Sequence, residues 1–220
     1  MTVKNKTHRL TLMAMFAALA YIVMLVGRFP ISSVDFLKYD PKDVILVICG
    51  FILGPTPALL VTFVVSAIEM LTVSSTGIIG LIMNVLSSAG FACTAAFVYK
   101  KRHSLRGAAV GLVLGALVMT ALMLLWNYFI TPYYMGMPRE AVAAMLVPVF
   151  LPFNLIKSAL NAAIAMLIYK PVSRALRQIG LTEPAGGQAP GKKSVMGAML
   201  IAALVLVSCI FIVLIMRGII

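Results

Sequence analysis

Apolar stretches of about 20 residues recur along this chain, and they restrict its possible folds more than any other feature. The first begins near Leu10 and the last covers Val195 to Met216. Hydrophobic residues make up 62% of the 220 residues, and charged residues only 11%. A soluble core cannot absorb so much apolar surface, and in lipid a helix satisfies its own backbone hydrogen bonds. The sequence therefore predicts an all-α integral membrane protein.

The apolar stretches and the polar breaks between them predict a six-transmembrane-helix bundle and a seventh helix after a linker. The first six helices are expected at about residues 10–26, 43–53, 58–71, 78–99, 107–130 and 141–169. Gly54-Pro55-Thr56-Pro57 predicts a tight turn between the second and third helices. Residues 182–194 are rich in glycine and proline, which predicts a flexible linker. We therefore expect a six-helix domain over residues 1–181 and an additional C-terminal transmembrane helix within 195–220, with an anchoring or packing role.

Basic residues gather at one set of helix ends, which predicts how the chain is oriented in the bilayer. A formal net charge of +12 would suggest nucleic acid in a soluble protein. Basic cytoplasmic loops explain it better here, so no nucleic-acid partner is expected. The N-terminus of this multi-pass cell-membrane protein is expected in the cytoplasm, with loops 28–42, 72–77 and 131–140 outside. The basic residues are Lys4, Lys6, Arg9, Lys100, Lys101, Arg102, Arg106, Lys170, Arg174, Arg177, Lys192 and Lys193.

Motifs of enzymes and of metal sites are missing from the sequence. It has no phosphate-binding loop, no His-Glu-x-x-His and no paired carboxylates within the apolar segments, so we expect no catalytic residue, no metal and no cofactor. Cys49, Cys93 and Cys209 lie in apolar segments without metal-ligand spacing and are interpreted as small buried hydrophobic residues. Glu69 is the acidic residue closest to an intramembrane position. Because it lies near a helix end, we expect it to face interfacial water.

A polar stripe interrupts the sixth apolar segment. Asn154, Lys157 and Asn161 are spaced three and four residues apart, which places them on one face of a helix. A lysine in such a segment costs about 2.5–3.5 kcal/mol on insertion scales, so it needs a partner, a cavity or a ligand. Lys157 could extend to the interface while the asparagines join neighbouring helices. Alternatively the stripe, with Asn84 and Asn127 from other helices, lines a site for a flat polar molecule between apolar walls.

The longest polar connection, residues 28–42, mixes charged and apolar side chains. A long amphipathic loop between membrane helices is often functional, although a solvated connector has the same composition. Within it, Asp40 and Pro41 predict the start of the second helix, with Asp40 as the cap and Pro41 at the first helical position.

Three motifs, in their order and spacing, resemble one known family. They are Leu37-Lys38-Tyr39-Asp40-Pro41-Lys42-Asp43, Gly50-Phe51-Ile52-Leu53-Gly54-Pro55 and Phe153-Asn154-Leu155-Ile156-Lys157. Together they resemble the RibU-type riboflavin-binding S components of energy-coupling factor (ECF) transporters, over about residues 10–181. The resemblance implies a non-enzymatic six-helix bundle that captures riboflavin from outside. A separate module with a transmembrane coupling protein and two ATPase subunits then drives release inside. The seventh helix departs from this pattern.

The resemblance also implies which residues bind and dock. By this resemblance, the isoalloxazine ring is contacted by Asn154, Lys157 and Asn127, and a capping loop contains Leu37, Lys38, Tyr39 and Asp40. Near the ribityl chain the resemblance places Thr76, Gly77 and Asn84. The helix face that docks on the coupling protein contains Ala14 and Ala18. Three alternatives remain open. They are an S component for another vitamin such as thiamin or biotin, a stand-alone secondary carrier driven by an ion gradient, and a structural membrane scaffold.

Overall fold

The computed structural model describes residues 6–31, 37–178 and 192–216, and it is almost entirely helical. The predicted all-α class, with a helix bundle and an additional C-terminal helix, is confirmed. The helices are α1 (Lys6–Gly27), α2 (Lys42–Leu53), α3 (Pro55–Thr72), α4 (Gly77–Lys101), α5 (Leu105–Phe129), α6 (Thr131–Met135), α7 (Arg139–Met145), α8 (Leu151–Gln178) and α9 (Lys192–Met216). Two short strands, β1 (Phe29–Pro30) and β2 (Lys38–Tyr39), form an antiparallel pair between α1 and α2.

Six segments of the described chain are long and apolar enough to cross a membrane, so the protein is a multi-pass membrane protein. These segments are Lys6–Gly27, Pro55–Thr72, Gly77–Lys101, Leu105–Phe129, Arg139–Val172 and Val195–Ile215. The helix α2 is the exception among the bundle helices. Its 12 residues extend about 18 Å, which is well short of the hydrocarbon core of about 30 Å.

The short helix α2 forms the centre of the bundle. It contacts α1, α3, α4 and α8, and every residue from Lys42 to Ile52 is buried. Close packing continues along it, because a Cβ at Gly50 would lie 2.8 Å from the Cβ of Ala96. The chain turns back at Gly54, where φ is +98°, and α3 begins at the next residue. The chain therefore turns where predicted, but at Gly54 alone, because Pro55, Thr56 and Pro57 already form the first turn of α3.

Small residues bring α4 and α5 together. A Cβ added at Gly111 would lie 2.7 Å from the carbonyl oxygen of Ala95, and one at Gly115 would lie 2.6 Å from that of Phe91. Close backbone approach of this kind is how helices associate in lipid, where apolar side chains gain nothing by leaving the bilayer. The opposite faces of α4 and α5 expose large apolar side chains such as Phe97 and Val113, as a lipid-facing surface requires.

The structure differs from the predicted elements at three connections. The expected loop 131–140 contains the short helix α6 and the start of α7. The sixth apolar segment is interrupted by a π-helical turn, Leu146–Phe150, that contains Pro148, a residue without an N–H for regular helical bonding. Of the expected linker, residues 182–191 lie outside the described residues, and 192–194 already belong to α9, which packs along α8.

Candidate functional site

A cavity of about 540 Å³ lies at one end of the bundle, where α1 and α3 end and α4 begins. We call this the cavity end, and the opposite end, where Lys100–Arg106 joins α4 to α5, the basic end. The volume falls within the range of sites for small molecules. The cavity is lined by Arg28, Leu37, Lys38, Asp40, Val73, Ser74, Ser75, Thr76, Met83, Asn84, Ser87, Met123, Asn127, Tyr134, Met135, Phe153, Asn154 and Lys157.

The polar stripe on α8 divides into a cavity part and a structural part. Asn154 and Lys157 line the cavity. The Nδ2 of Asn154 donates to the carbonyl oxygen of Phe150 in the π-helical turn (2.7 Å), and the Nζ of Lys157 lies 3.4 Å from Oδ2 of Asp43. Asn161 lies outside the lining, where its side chain joins α8 to β2 by accepting from the hydroxyl of Tyr39 (2.8 Å). Asn161 therefore joins neighbouring elements, as the first interpretation expects, but Lys157 is buried and paired with Asp43 and does not extend to the interface. Ligand binding by Asn154 and Lys157 stays a prediction.

Asn127 and Asn84 approach the same cavity from α5 and α4. Asn127 is buried and held in place by two hydrogen bonds, since its Nδ2 donates to the carbonyl oxygen of Met123 (2.7 Å) and its Oδ1 accepts from Thr131 (2.8 Å). A fixed amide of this kind presents its remaining donor and acceptor positions in set directions. The cavity thus combines oriented amides with the apolar side chains of Met83 and Phe153.

The β1–β2 pair brings part of the predicted capping loop to the cavity. Leu37, Lys38 and Asp40 line it, but Tyr39 does not. The ring of Tyr39 packs on that of Phe29, with centroids 5.0 Å apart. Burial, and then the nearby charges of Asp43 and Asp40, raise the pKa of the Tyr39 hydroxyl above its usual value, so it stays protonated as a donor.

Asp40 combines a cavity position with a hydrogen bond to the start of α2. Its Oδ1 accepts from the backbone N–H of Lys42 (3.0 Å), but Pro41 occupies the cap position and α2 begins at Lys42, so the predicted cap and first helical residue are each wrong by one position. Burial alone would raise the pKa of Asp40, but the charges of Lys42 and Lys157 outweigh it and lower the pKa below its usual value. Asp40 is therefore a carboxylate at neutral pH.

One expectation about acidic residues is wrong. Glu69 does not face interfacial water, because it is fully buried and pairs with Arg28 (NH1 to Oε1, 3.0 Å) and with Lys42. Together with Asp40 and Asp43 it shares the counter-charges of Arg28, Lys42 and Lys157 inside the bundle. The three positive and three negative charges balance, which is what makes their burial tolerable. In the described part of the chain, no group of acidic, histidine and cysteine side chains could hold a metal ion.

The remaining predicted residues divide between the cavity and other surfaces. Thr76 lines the cavity, whereas Gly77, with φ of +55°, begins α4 outside the lining. Ala14 and Ala18 lie on an exposed face of α1, as a docking face requires. Lining residues that the sequence analysis did not select as site residues are the polar Arg28, Ser74, Ser75, Ser87 and Tyr134 and the apolar Val73, Met83, Met123, Met135 and Phe153. Methionine in an apolar segment carries no signal that separates a cavity wall from ordinary packing.

Comparisons with known proteins agree on one family. A sequence model of the family "ECF transporter, substrate-specific component" matches residues 8–169. The riboflavin transporter FmnP of Bacillus subtilis (strain 168) is 31% identical over 174 residues, which are 74% of this chain and 91% of that protein. The riboflavin transporter RibU of Staphylococcus aureus (strain TCH60) is 28% identical over 182 residues, 80% of this chain and 95% of that protein.

A solved structure extends the agreement to three dimensions. It is described as "Structure and mechanism of the S component of a bacterial ECF transporter" and superposes with a TM-score of 0.68 at 28% identity. The match covers 79% of this chain and 99% of that chain. The family match ends before α9, at residue 169.

Proposed function

The chain belongs to the substrate-specific components of ECF transporters, and we propose that it binds riboflavin in the cavity described above. The names of the relatives support this ligand. The observation that carries the proposal is the convergence of Asn127, Asn154 and Lys157 from two helices on one cavity, whose lining also includes apolar side chains. A ring system with carbonyl oxygens and ring nitrogens matches these donors and acceptors, and its flat faces can pack on side chains such as Met83, Met123 and Phe153.

Each lining group has a proposed part in binding. Asn154, Lys157 and Asn127 bond the isoalloxazine ring, while Leu37, Lys38 and Asp40 cover it. Thr76 and Asn84, at and near the start of α4, hold the ribityl chain. Tyr39 and Gly77 support the site without lining it. Tyr39 acts through its hydrogen bond to Asn161, and Gly77 acts by starting α4.

We place the cavity end outside the cell and the N-terminus in the cytoplasm. The support is the concentration of basic residues such as Lys100, Lys101 and Arg106 at the opposite end. The partners are the transmembrane coupling protein and the two ATPase subunits of an ECF module, with Ala14 and Ala18 on the docking face. Ligand is captured from outside and delivered inward when the module acts on the loaded bundle.

Flavin fluorescence tests the ligand directly. Riboflavin titrated with the purified chain in detergent should lose its fluorescence saturably, at about one flavin per chain. Competition with unlabelled thiamin and biotin separates riboflavin from other vitamins. A chain that leaves riboflavin fluorescence unchanged but binds one of those vitamins would refute the ligand and keep the family.

A lysine pair tests the site. Lys157→Ala should weaken riboflavin binding about 10- to 100-fold, because a charged hydrogen bond of about 1.5–3 kcal/mol is lost. Lys101→Ala, at the exposed basic end, is the matched control and should bind as the unmodified chain does. Equal affinities for the two variants would show that Lys157 makes no contact with the ligand.

Uptake experiments test the partners. Reconstitution of the chain alone in vesicles should give no riboflavin uptake under a proton or sodium gradient, and addition of an ECF module with ATP should start uptake. Uptake by the chain alone under an ion gradient would favour the stand-alone carrier.

A further inference from the structure

Four charged residues form a continuous ion chain beneath one wall of the cavity. Glu69 on α3 pairs through Oε1 with NH1 of Arg28 (3.0 Å) and through Oε2 with Nζ of Lys42. The same Nζ lies 2.8 Å from Oδ2 of Asp40. We call Arg28–Glu69–Lys42–Asp40 the ion chain. Its charges alternate in sign, so each inner member has a partner on both sides.

The two ends of the ion chain face the cavity and the two inner members do not. Arg28 and Asp40 are lining residues, whereas Lys42 and Glu69 are fully buried and absent from the lining. Arg28 immediately precedes β1, and Asp40 immediately follows β2. The inner pair therefore ties the two chain segments at the base of the β1–β2 pair to α2 and α3.

The β1–β2 pair needs such a tie. It consists of two residue pairs, Phe29 with Tyr39 and Pro30 with Lys38. A two-stranded ladder is marginal even when it is longer, so backbone pairing contributes little to holding it in place. Leu37 and Lys38, which line the cavity, depend on the position of these strands.

Stability alone does not account for the buried pair. Apolar residues of similar volume generally replace a buried ion pair without loss of stability, because removing two charges from water costs about as much as their attraction returns. An ion pair differs from apolar packing in that it holds its partners at a defined distance, here 3.0 Å from Glu69 to Arg28 and 2.8 Å from Lys42 to Asp40. Lys42 and Glu69 do this for two groups of the cavity wall.

We propose that Lys42 and Glu69 are positioning residues of the ligand site, which hold Arg28 and Asp40 at the cavity wall and thereby slow ligand release. The proposal rests on the proposed function for the identity of the ligand. A purely structural pair would tie α2 to α3 with no effect on release.

Charge-neutral replacement separates the two roles. Glu69→Gln leaves Arg28 without its ion-pair partner, and Lys42→Met does the same to Asp40, so both single variants should unfold at lower temperature and release riboflavin faster. The double variant restores the net charge, so it should unfold no lower than the less stable single variant, but it still frees both Arg28 and Asp40. Its riboflavin dissociation rate, measured by stopped-flow fluorescence, should therefore stay at least about tenfold above that of the unmodified chain. A dissociation rate in the double variant equal to that of the unmodified chain would overturn the proposal.

Two further variants keep the test decisive. If the double variant does not fold, Glu69→Asp tests the positioning role instead. This variant keeps the charge and shortens the side chain by one methylene. It should release riboflavin several-fold faster, and an unchanged rate would overturn the proposal. Tyr99→Phe is the control for a general loss of stability, since it removes a buried hydrogen bond to Tyr169 toward the basic end. It should leave the dissociation rate unchanged.

A ligand-free readout separates this proposal from the proposed function. Amide hydrogen exchange of the peptides that contain β1 and β2 should be at least about tenfold faster in the double variant than in the unmodified chain. Failure of the unmodified chain to bind riboflavin would refute the ligand, whereas unchanged exchange in β1 and β2 would refute the positioning role.

Discussion

The cavity end and the basic end of the bundle are built from the same helices with opposite chemistry. At the cavity end, α2 and α8 contribute Asp43 and Lys157, which pair beside a cavity. Toward the basic end, α2, α4 and α8 contribute Phe51, Tyr99 and Tyr169, whose rings pack with centroids 4.6–5.6 Å apart. The hydroxyls of the two tyrosines also hydrogen-bond each other.

This difference shows that the polar groups of the cavity and the apolar packing of the bundle lie toward opposite ends. Charges and amides at the cavity end have positions fixed by ion pairs and hydrogen bonds, and several remain accessible from the cavity. The aromatic rings toward the basic end fill the space between three helices. The cavity lining includes none of these three aromatic residues, so the cavity and the aromatic cluster occupy separate parts of the bundle. Substitutions at the two ends should have different consequences for binding and for stability.

The largest effect is expected at Asp43, where the cavity end depends on one carboxylate. Asp43 accepts from Ser88 on α4 and Asn161 on α8, and it pairs with Lys157. Asp43→Ala leaves the Lys157 charge without its partner and should lower the free energy of unfolding by about 3–5 kcal/mol. Unfolding of the purified variant in detergent measures this loss, and riboflavin binding should weaken with it.

Ser88→Ala is the matched control, because it removes one hydrogen bond to the same carboxylate and leaves the ion pair. Ser88→Ala should lower the free energy of unfolding by about 1.5–3 kcal/mol. If Asp43→Ala is no less stable than Ser88→Ala, the ion pair between Asp43 and Lys157 contributes nothing to the stability of the protein.

The sequence predicted which side chains give the cavity end its polar chemistry better than it predicted which residues those side chains contact. The Asn154 and Lys157 spacing placed both residues on one helix face, and an intramembrane lysine already called for a partner or a cavity. The partner itself was not predictable, because ion pairs join residues far apart in the chain, as the separation of 27 positions between Lys42 and Glu69 illustrates. Glu69 alone near a helix end has the same local pattern whether it meets water or a buried cation.

The regular helices were predictable for a simpler physical reason. Length and hydropathy are local properties, and lipid imposes helical hydrogen bonding on any apolar segment that crosses it. The π-helical turn and α6 were not predicted, since both depend on how the segments around Pro148 and Pro132 pack on their neighbours. The burial of α2 on all sides likewise follows from tertiary contacts and not from its sequence.

A glycine pair tests whether the half of the bundle toward the basic end tolerates expansion. Gly50→Ala places a Cβ 2.8 Å from that of Ala96 and should cost about 1–3 kcal/mol of stability without changing riboflavin affinity. Gly197→Ala on α9 meets no atom within 4 Å and should be neutral or slightly stabilising. Thermal unfolding compares the two variants. A loss of affinity in Gly50→Ala would mean that packing there is transmitted to the cavity, and the contrast between the ends would fail.

Two buried tyrosines give the most direct comparison between the ends. Tyr39→Phe removes a donor to Asn161, and Tyr99→Phe removes the hydroxyl that bonds Tyr169. Each should lower stability by about 0.5–1.5 kcal/mol. Riboflavin affinity should fall a few-fold in Tyr39→Phe alone, since Tyr39 lies next to Lys38 and Asp40 at the cavity wall. Titration of both variants with riboflavin at matched temperature measures the difference. Equal affinities would show that Tyr39 has no indirect role in riboflavin binding.

The smallest effect is expected from α9, although it touches the cavity end. Its buried residues Cys209 and Val213 belong to one apolar cluster with Leu37, Tyr39 and Ile156. Lipid or detergent can take the place of this helix, because hydrocarbon tails are as apolar as the side chains they would replace. A chain that ends after Gln178 should therefore bind riboflavin within about fivefold of the full chain, a difference below about 1 kcal/mol. A loss much larger than this in a fluorescence titration would mean that α9 supports the strands at the cavity wall in a way that lipid cannot, and the site would then extend beyond the residues that match the family.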